Sequence, residues 1–503
     1  MIQTLIPAPV KAPARGRRLG YALTARALLL LLAGGVLAAP GFFHPRGLWM
    51  WVWAMVAWDA LVLLLAAVDV AWLPFPSVIE VERRFGDSPA LGEATTIEIE
   101  ITQESSRVLD VRVSDALHPA LAAMPLTGEV RAFPRDAARV QLECVPNARG
   151  DVRLGKVYLR YRAALKLVER WAEADLEQEI RVYPSMERSP ESSQLYLLRI
   201  RQIALQKRRL RLRGLGREFE SLREYQRGDE VRNIAWAATA RRAKLITREF
   251  TTERSQQVWI VLDAGRLSRT GLTVQAPALR SIRDRASGAP PLVEKGSPAG
   301  CAFGAQSGSE GDSLLTITQL DQSTGAAVAL AQAVMQAGDK AGLMVYGQYI
   351  QQQLLPALGT GHLRQFVDAL SQARSEAGEA NHLNAAARLK HLQRRRGMIL
   401  WITELADSAR RPEIVDAALD LARRHLVLLV VLGNPELDAA ATRQPRNVSE
   451  MFVATAAAEV LGRRRMLLAR LRAQGVLVVE TTPGTVKADA INQYLEVKVR
   501  GLL

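Results

Sequence analysis

The stretch that decides the fold runs from Gly216 to Asp263 and reads GREFESLREYQRGDEVRNIAWAATARRAKLITREFTTERSQQVWIVLD. Apolar residues alternate with polar ones on its amino-terminal side, whereas short, fully apolar runs lie between helical patterns on its carboxyl-terminal side. Alternation is typical of half-buried strands, and fully apolar runs are typical of strands buried on both faces. The stretch therefore marks the boundary between an antiparallel β domain and an α/β domain.

Residues 77–187 carry the alternating pattern, which predicts a small antiparallel β-sandwich. Ile97, Ile99 and Ile101 alternate with glutamates, and turn-forming glycine, proline and asparagine residues separate the runs. The region contains no cluster of residues that would suggest catalysis.

Residues 258–503 carry the second pattern, in which apolar runs such as Val258–Leu262 and Met398–Ile402 are separated by amphipathic helical segments. That order predicts a mainly parallel sheet covered by helices on both faces. Residues at about 272–312 are rich in Gly, Ser, Pro and Ala without periodicity, and they predict a flexible insertion after the first strand.

Ligands bind at the carboxyl ends of the strands in folds of this class. The candidate site residues are therefore those that end or follow the predicted strands: Asp263, Gly347, Thr403, Glu404, Asn434 and Thr481. Only Asp263 and Glu404 among them carry carboxylates.

The first 76 residues predict a basic N-terminus and two transmembrane helices, at about 27–43 and 48–68. A signal peptide is the alternative for the first apolar run, but the second run follows at once and favours a helical hairpin. Basic residues precede the hairpin and acidic residues are scarce around it. The positive-inside rule therefore places the N-terminus and all later domains in the cytoplasm.

The composition agrees with this arrangement, since 503 residues suffice for two or three domains and the net charge is +15. Such a charge favours an anionic neighbour, either lipid head groups, an acidic protein face or nucleic acid. Cys144 and Cys301 lie far apart in the sequence, which excludes a disulfide framework and fits a reducing compartment.

Residues 188–257 predict a basic linker that ends in the quoted stretch. Its run Lys207–Arg217 fits a solvated basic face, a surface for anionic lipid or, least well because no aromatic residues accompany it, a surface for nucleic acid. Farther on, Asp229 predicts the cap of a helix that begins at Glu230. The apolar face of that helix comprises Val231, Ile234, Ala235 and Ala238.

The sequence contains neither a G-x-x-x-x-G-K-[ST] phosphate-binding loop nor a G-x-S-x-G nucleophile motif. Its six histidines are scattered, and His382 and His391 do not share a helix face as zinc ligands would. We therefore expect no catalytic residues and no enzymatic activity.

The quoted stretch closely resembles the signature of the bacterial domain-of-unknown-function 58 family. Its matching residues, which we take as a partner-docking signature, are Glu218, Phe219, Arg223, Tyr225, Asp229, Arg232, Trp236 and Arg241. Two later segments also resemble the family, namely Gly338-Asp339-Lys340-Ala341-Gly342 and Tyr494-Leu495-Glu496-x-Lys498. The paired N-terminal spans resemble its usual anchor.

The resemblance implies a von Willebrand factor A-like domain, with its Rossmann-like sheet, on a membrane-tethered β module. Proteins of this kind are commonly encoded beside MoxR-type AAA+ ATPases, and the resemblance implies action with them in the assembly or maturation of protein complexes. We therefore predict an adaptor, anchored in the bacterial inner membrane, for such an ATPase or another cytoplasmic protein. We expect it to bind no nucleic acid, and anionic lipid is a further expected neighbour.

A metal-binding domain of the von Willebrand type offers Asp-x-Ser-x-Ser after its first strand, because Mg²⁺ takes a full shell of oxygen ligands. This chain has Asp263-Ala264-Gly265-Arg266-Leu267 and lacks both serines, while Glu404 stands at the position of a later aspartate. These departures predict no cofactor beyond weak Mg²⁺ at a degenerate site of Asp263 and Glu404. A metal-dependent ligand-binding domain is the alternative to the adaptor.

Overall fold

The computed structural model divides the chain into two compact units. The first comprises the described residues up to Ser185 together with residues 274–275 and 314–315, and the second comprises the remaining described residues from Glu218 onward. We call the part up to Ser185 the β unit and the part from Glu218 onward the α/β unit. The structure describes residues 6–43, 48–116, 118–121, 127–185, 218–226, 231, 234–251, 255–275, 314–405 and 412–502.

The β unit contains one large antiparallel sheet and two long helices. Its strands are β1 (Val10–Leu23), β2 (Ile79–Phe85), β3 (Thr95–Gln103), β4 (Leu109–Asp115), β5 (Thr127–Ala132), β6 (Ala137–Cys144), β7 (Gly150–Leu154), β8 (Val157–Arg162), β9 (Val168–Ala174) and β10 (Gln178–Val182). Its helices are α1 (Ala25–Phe43) and α2 (Leu48–Trp72). Eight strands pair in the order β5-β4-β8-β9-β1-β2-β3-β6, and β7 pairs with β10.

The predicted antiparallel pairing is confirmed, but the layout differs from a sandwich of two separate sheets. Strand β3 alternates as expected, with Ile97, Ile99 and Ile101 fully buried. The outermost strands β5 and β6 lie close together, as Gly128 of β5 shows: a side chain added there would collide with Val140 of β6. The single sheet therefore curls until it is nearly a barrel, which encloses one apolar core.

The strand β1 corrects the predicted domain boundary at residue 77. Its first residues, from Val10, pair with β2, and its later residues, to Leu23, pair with β9. The N-terminal segment therefore lies inside the sheet, and it is not only a charged leader to the helices. The arginines in this segment interrupt the alternation of apolar and polar residues by which a strand is recognised in a sequence.

The two helices follow β1 and precede β2. Helix α2 is long and apolar enough to cross a membrane over Trp49–Trp72, whereas the apolar part of α1, Ala25–Val36, is shorter than a typical span. The Trp58 indole nitrogen donates to the Leu30 carbonyl at 2.8 Å, so the helices contact each other. Among the described residues, α2 alone meets the length and apolarity of a membrane span.

Both helices are fastened to the turn between β8 and β9. The Thr24 backbone nitrogen, just before α1, donates to the Leu167 carbonyl at 2.9 Å. The buried Asp69 carboxylate, near the end of α2, accepts from the nitrogens of Leu167 at 2.9 Å and Val168 at 3.0 Å. The start of one helix and the end of the other therefore meet at one place on the sheet.

The α/β unit begins with the quoted stretch. Its strands are β11 (Glu218–Glu224), β12 (Ile246–Thr251), β13 (Gln257–Asp263), β14 (Gly271–Gln275), β15 (Leu314–Thr318), β16 (Lys340–Tyr346), β17 (Ile350–Ala357), β18 (Met398–Glu404), β19 (Leu426–Leu432) and β20 (Leu477–Thr481). Its helices are α3 (Trp236–Arg242), α4 (Gln319–Gln336), α5 (Thr360–Gln372), α6 (His382–Leu392), α7 (Glu413–Ala422), α8 (Pro435–Thr442), α9 (Val448–Ala473) and α10 (Val486–Val499).

Its main sheet has the order β17-β16-β13-β18-β19-β20. The pairings from β16 to β20 are parallel, and only the edge strand β17 runs antiparallel to its neighbour. Numbered along the chain this is the order 3-2-1-4-5-6 of a doubly wound sheet. The fully apolar runs of the sequence form its central strands, in which Trp259 and Trp401 are completely buried.

The predicted insertion at about 272–312 falls mostly outside the described residues. Its flanks are more regular than the composition predicts, because β14 begins at Gly271 and forms a two-stranded sheet with β15.

The quoted stretch forms a two-stranded sheet, β11 with β12, and the short helix α3. The helix predicted to begin at Glu230 begins instead at Trp236. Ile234 forms a β-bridge with Thr247, and the two are buried, so backbone pairing replaces the first predicted helical turn. Val231, which was assigned to the apolar face, is 64% exposed. Asp229, the predicted cap, lies outside the described residues.

The two later motifs of the family resemblance meet in one buried cluster. Tyr494 and Lys498, one turn apart on α10, both donate to the Asp339 carboxylate just before β16, the tyrosine at 2.6 Å. The backbone nitrogen of Gln256, which precedes β13, donates to the other Asp339 oxygen at 3.1 Å. The cluster therefore ties the last helix to the start of two central strands.

We expect Asp339→Ala to lower the free energy of unfolding by about 3 kcal/mol, because it leaves the Lys498 ammonium buried without its counter-ion. Glu496→Ala on the same helix removes only an exposed ion pair with Arg500 and serves as the control, with an expected change of about 0.5 kcal/mol or less. Thermal unfolding of the detergent-solubilised chain, followed by tryptophan fluorescence, measures both. Equal unfolding midpoints for the two variants would contradict the assignment.

Candidate functional site at the carboxyl edge of the sheet

The two predicted metal ligands come together at the carboxyl edge of the main sheet. Asp263 ends β13 and Glu404 ends β18, and these strands are parallel neighbours. The Thr403 hydroxyl donates to Asp263 Oδ2 at 2.8 Å, and the Gly265 nitrogen donates to Asp263 Oδ1 at 2.9 Å. Both carboxylate oxygens of Asp263 are therefore already engaged by the protein.

Backbone hydrogen bonds close the loops around Asp263. The Ala264 nitrogen donates to the Tyr346 carbonyl at 2.7 Å, and the Glu376 nitrogen donates to the Ala264 carbonyl at 2.8 Å. Gly265 stands where a metal-binding domain has its first serine, and a side chain there would lie 2.8 Å from the Ala380 nitrogen and Cβ. The missing serine is therefore a consequence of how closely these loops pack.

Three polar atoms of residues that line the cavity beside Asp263 have no hydrogen-bond partners among the described residues. They are Glu404 Oε2 and Gln319 Nε2 and Oε1. The small cavity bordered by Asp263, Gln319 and Glu404 measures about 10 Å³, which is the size of a single water position. A single buried water fits the polar atoms of Gln319 and Glu404.

The residues of this cavity do not fit a magnesium ion. Mg²⁺ requires six oxygen ligands in near-octahedral geometry and keeps several waters, which a cavity of about 10 Å³ cannot hold. Groups of three or more potential metal-ligating side chains are absent from the described part of the chain. Asn381, on the loop next to Ala380, uses its side-chain oxygen to cap α6 through the Asn384 nitrogen at 2.9 Å.

Glu404 is instead suited to hold a proton. Burial raises its pKa to about 7, the Gln319 amide and the positive charge of Arg464 oppose that shift, and the negative charge of Asp263 adds to it. A protonated Glu404 can donate a hydrogen bond within the cavity, whereas a charged one would be desolvated.

Trp401, Tyr346 and His382 form a second polar group at this edge, which the sequence pattern does not indicate. The Trp401 indole donates to the Tyr346 hydroxyl at 2.8 Å, and the Tyr346 hydroxyl lies 2.7 Å from His382 Nδ1. An indole can only donate, so the tyrosine oxygen accepts from Trp401 and its own hydrogen is free to be donated to a neutral His382 at Nδ1. Burial lowers the pKa of His382 in agreement with this assignment.

The other predicted edge residues have structural roles. The Gly347 carbonyl accepts from the Asn381 nitrogen at 2.9 Å, and Asn434 caps α8 through the Glu436 nitrogen at 3.0 Å. The Thr481 hydroxyl donates to Asp489 at 2.6 Å and joins β20 to α10. These contacts stabilise the loops and leave few polar groups at the edge for a ligand.

The docking signature is placed only in part. Glu218, Phe219 and Arg223 lie on β11, and the Tyr225 nitrogen donates to the Leu245 carbonyl at 2.9 Å. Trp236 and Arg241 are exposed on α3. Arg232 and Asp229 lie outside the described residues. Glu224, also on β11, forms an ion pair with Lys244 at 3.0 Å.

A surface missed from the sequence lies on helices α8 and α9. Helix α9 has 26 residues, but its first buried residue is Ala457. The nine residues before it span about 14 Å at 1.5 Å per residue. Since α9 leads into the amino end of β20, this exposed first part lies beyond the carboxyl edge of the sheet. We call α8 with residues 448–456 the overhang, and α8 has no buried residue.

The overhang is apolar as well as exposed. Phe452 is 67% exposed, Val448 66% and Val453 59%, and Met451 lies beside them. Contiguous exposed apolar side chains are typical of protein-interaction surfaces.

Part of the chain matches one protein-family model, and several solved structures show low similarity to it. Residues 221–278 and 309–440 match the family model described as "Protein of unknown function DUF58". No curated protein matches the chain.

Three solved structures show limited similarity. The conserved hypothetical protein BatB from Bacteroides thetaiotaomicron is 14% identical over 49% of this chain and 100% of its own, with a TM-score of 0.27. The SpRpn10 VWA domain is 12% identical over 48% of this chain and 95% of its own, with a TM-score of 0.25. The ASH/PapD-like domain 7 of human CEP192 is 14% identical over 22% and 87%, with a TM-score of 0.16. These TM-scores are too low to establish that any of the three shares the fold of this chain.

The raised pKa of Glu404 predicts how stability depends on pH. Its pKa of about 7 in the folded state exceeds the usual 4.5, so its contribution is complete below pH 4.5 and is lost as the pH rises through 7. We expect the difference in unfolding free energy between Glu404→Gln and wild type to shift by roughly 2 kcal/mol in favour of the variant from pH 5 to pH 8.

Comparing the two proteins at each pH cancels the opposing contribution of His382, whose stabilising effect is lost as the pH falls. Glu413→Gln, an exposed glutamate in the first turn of α7, is the control and should show no such shift. Chemical unfolding at a series of pH values measures these differences. A constant difference between Glu404→Gln and wild type across this range would refute the proton on Glu404.

Proposed function

The chain belongs to the family described as protein of unknown function DUF58, and from this premise we propose that it is a non-enzymatic, membrane-anchored adaptor. In this proposal its α/β unit is a von Willebrand A-like domain that binds a cytoplasmic protein. The partner we propose is a MoxR-type AAA+ ATPase, in the assembly or maturation of protein complexes. The identity of the partner rests on the family resemblance, and the location of the binding surface rests on the exposed apolar residues of the overhang.

The length and apolarity of α2 support the anchor. The strands flanking the helix pair, β1 and β2, are paired with each other, so both helix ends return to the same sheet. That arrangement supports a hairpin of α1 and α2 whose two ends lie on one side of the membrane. We propose that this side, with the N-terminus and both units, is the cytoplasmic side of the inner membrane, because basic residues precede the hairpin. The order of the main sheet, with an antiparallel edge strand, supports the von Willebrand A-like description.

The observation that carries the docking proposal is the apolar, exposed overhang. At the carboxyl edge itself, the loops around Asp263 are hydrogen-bonded to one another and the cavity has room for one water only. A large partner cannot enter such a cavity, but it can cover Phe452 and Val453 on the adjoining helix. A metal-dependent ligand-binding function has no comparable support, since a serine at Gly265 would collide with Ala380. The signature arginines stay a second predicted contact region.

A photo-crosslinking amino acid at Phe452 tests this assignment. The chain is purified in detergent, mixed with the purified MoxR-type ATPase of the same organism with and without ATP, and irradiated. We expect a covalent adduct from position 452, identified by mass spectrometry. Position 355 is the matched control, because Leu355 is also exposed (60%) but lies on the edge strand β17. Adducts from 355 alone, or from neither position, would contradict docking at the overhang.

A further inference from the structure

One end of the β unit sheet carries both helices. Helix α1 starts directly after the last residues of β1, and the chain returns from α2 through Trp72 to Pro74. The Pro74 carbonyl accepts from the Tyr161 hydroxyl at 2.9 Å and from the Arg170 guanidinium at 3.1 Å. Residues near these points must therefore lie close to any membrane that α2 crosses.

Exposed apolar side chains surround this end of the sheet. Strand register places them together, because the end of β8 (Arg162) pairs with the start of β4 (Asp110), which pairs with the end of β5 (Arg131). We call the exposed apolar residues at this end the rim. Its members are Val108, Phe133 and Leu165 beside these strand ends, Leu23 at the end of β1, and Trp72 and Phe75 where the chain returns from α2. Phe75 is 70% exposed. Aromatic and aliphatic side chains of this kind are typical of the interfacial layer of a bilayer.

Cationic side chains interact with the aromatic members of the rim. The Arg107 guanidinium lies 5.5 Å from the centre of the Trp72 ring, and the Arg170 guanidinium lies 5.2 Å from that of Phe75. These contacts place positive charge at the same level as the apolar rings.

A basic cleft of about 440 Å³ adjoins the rim on the outer face of β4, β5 and β8. The register builds it as two cross-strand rows, Arg131-Asp110-Arg162 and Glu129-Arg112-Arg160. Lys166, from the turn that holds the helices, and Arg26, in the first turn of α1, complete its lining.

The cleft has more positive charge than its own carboxylates can neutralise. Six of its lining side chains are cationic and two are anionic, and Glu169, outside the lining, pairs with Arg162 at 2.8 Å, which leaves an excess of three positive charges. Asp110 serves both Arg131, at 3.1 Å, and Lys166. Arg26 has no carboxylate partner among the described residues, although it is exposed at the mouth of the cleft. An anion bound there would meet several guanidinium groups, which suit phosphate oxygens.

We propose that the cleft binds the phosphate head group of an anionic phospholipid while the rim lies in the interfacial layer of the same bilayer. The proposal rests on the membrane anchor proposed above. A free phosphate would satisfy the charges, but it would leave the rim in water. A phospholipid satisfies both surfaces, because its acyl chains continue along the apolar helices that leave the sheet beside Arg26.

The full chain in lipid nanodiscs provides the test. Discs of phosphatidylcholine carry a trace of spin-labelled phosphatidylglycerol or, in the parallel sample, spin-labelled phosphatidylcholine. The fraction of motionally restricted label gives the relative association of each lipid. We expect phosphatidylglycerol to be favoured by about fivefold or more, since each basic residue near a bilayer contributes about that factor. Excess glycerol phosphate should leave this preference largely unchanged.

The triple variant Arg26→Gln, Arg162→Gln, Lys166→Gln should lose the preference. The matched control Arg84→Gln, Arg139→Gln, Arg153→Gln removes the same charge from exposed sites outside the cleft and should keep it. Equal restriction of the two lipids by the wild type, or an unchanged preference in the cleft variant, would overturn the lipid site. So would displacement by glycerol phosphate, which would assign the cleft to a free phosphate ester. Failure of the chain to enter the discs would overturn the anchor as well.

Discussion

The turn between β8 and β9 fixes where the helices leave the β unit. Thr24 reaches this turn from the start of α1, and the buried carboxylate of Asp69 reaches it from the end of α2. The two hydrogen bonds from backbone N–H groups stabilise this buried carboxylate. If Asp69 were removed, both N–H groups would stay buried without that acceptor. The helix pair is therefore attached to the sheet at two points, and its direction of exit is set by hydrogen bonds as well as by apolar packing.

Several features of the β unit follow from this attachment. The chain must enter α1 from a strand of the sheet, which explains why β1 is central and pairs with the strand that follows α2. The basic cleft shares the same turn through Lys166, so charge and helix exit are adjacent. A separate buried contact holds the opposite strands, because the Arg83 guanidinium donates to Asp115 at 3.0 and 2.5 Å inside the sheet.

The sequence predicts the strands of both units well and their environment less well. Ile97, Ile99 and Ile101 and the run Val258–Leu262 follow simple periods, because burial on one face or both faces leaves a direct record in polarity. Strand β1 leaves no such record, since the exposed Lys11 and Arg15 stand among alanine, glycine and proline residues. The start of α3 was predicted wrongly because Ile234 is buried by a β-bridge, and polarity cannot separate that from helical burial.

Sites that depend on contacts between distant segments were the least predictable. Asp263 and Glu404 could be placed at one edge by topology, but the clash that excludes a serine at Gly265 arises from Ala380, on a distant loop. The overhang was hidden because the apolar residues of α9 follow no single face. Asp339 and Lys498 were recognised as parts of a family pattern, whereas their shared buried cluster requires the folded chain.

The central claim is that the helix-bearing end of the β unit faces a bilayer, and a depth measurement tests it most directly. A spin label is placed at Leu165→Cys in the rim, or at Arg153→Cys on β7, shortly before the opposite end of β8, in a chain with Cys144 and Cys301 replaced by alanine. Collision rates with oxygen and with a water-soluble nickel complex are compared in nanodiscs. The account predicts interfacial depth for the label at 165 and full aqueous exposure for the label at 153. Aqueous exposure of both labels would contradict it.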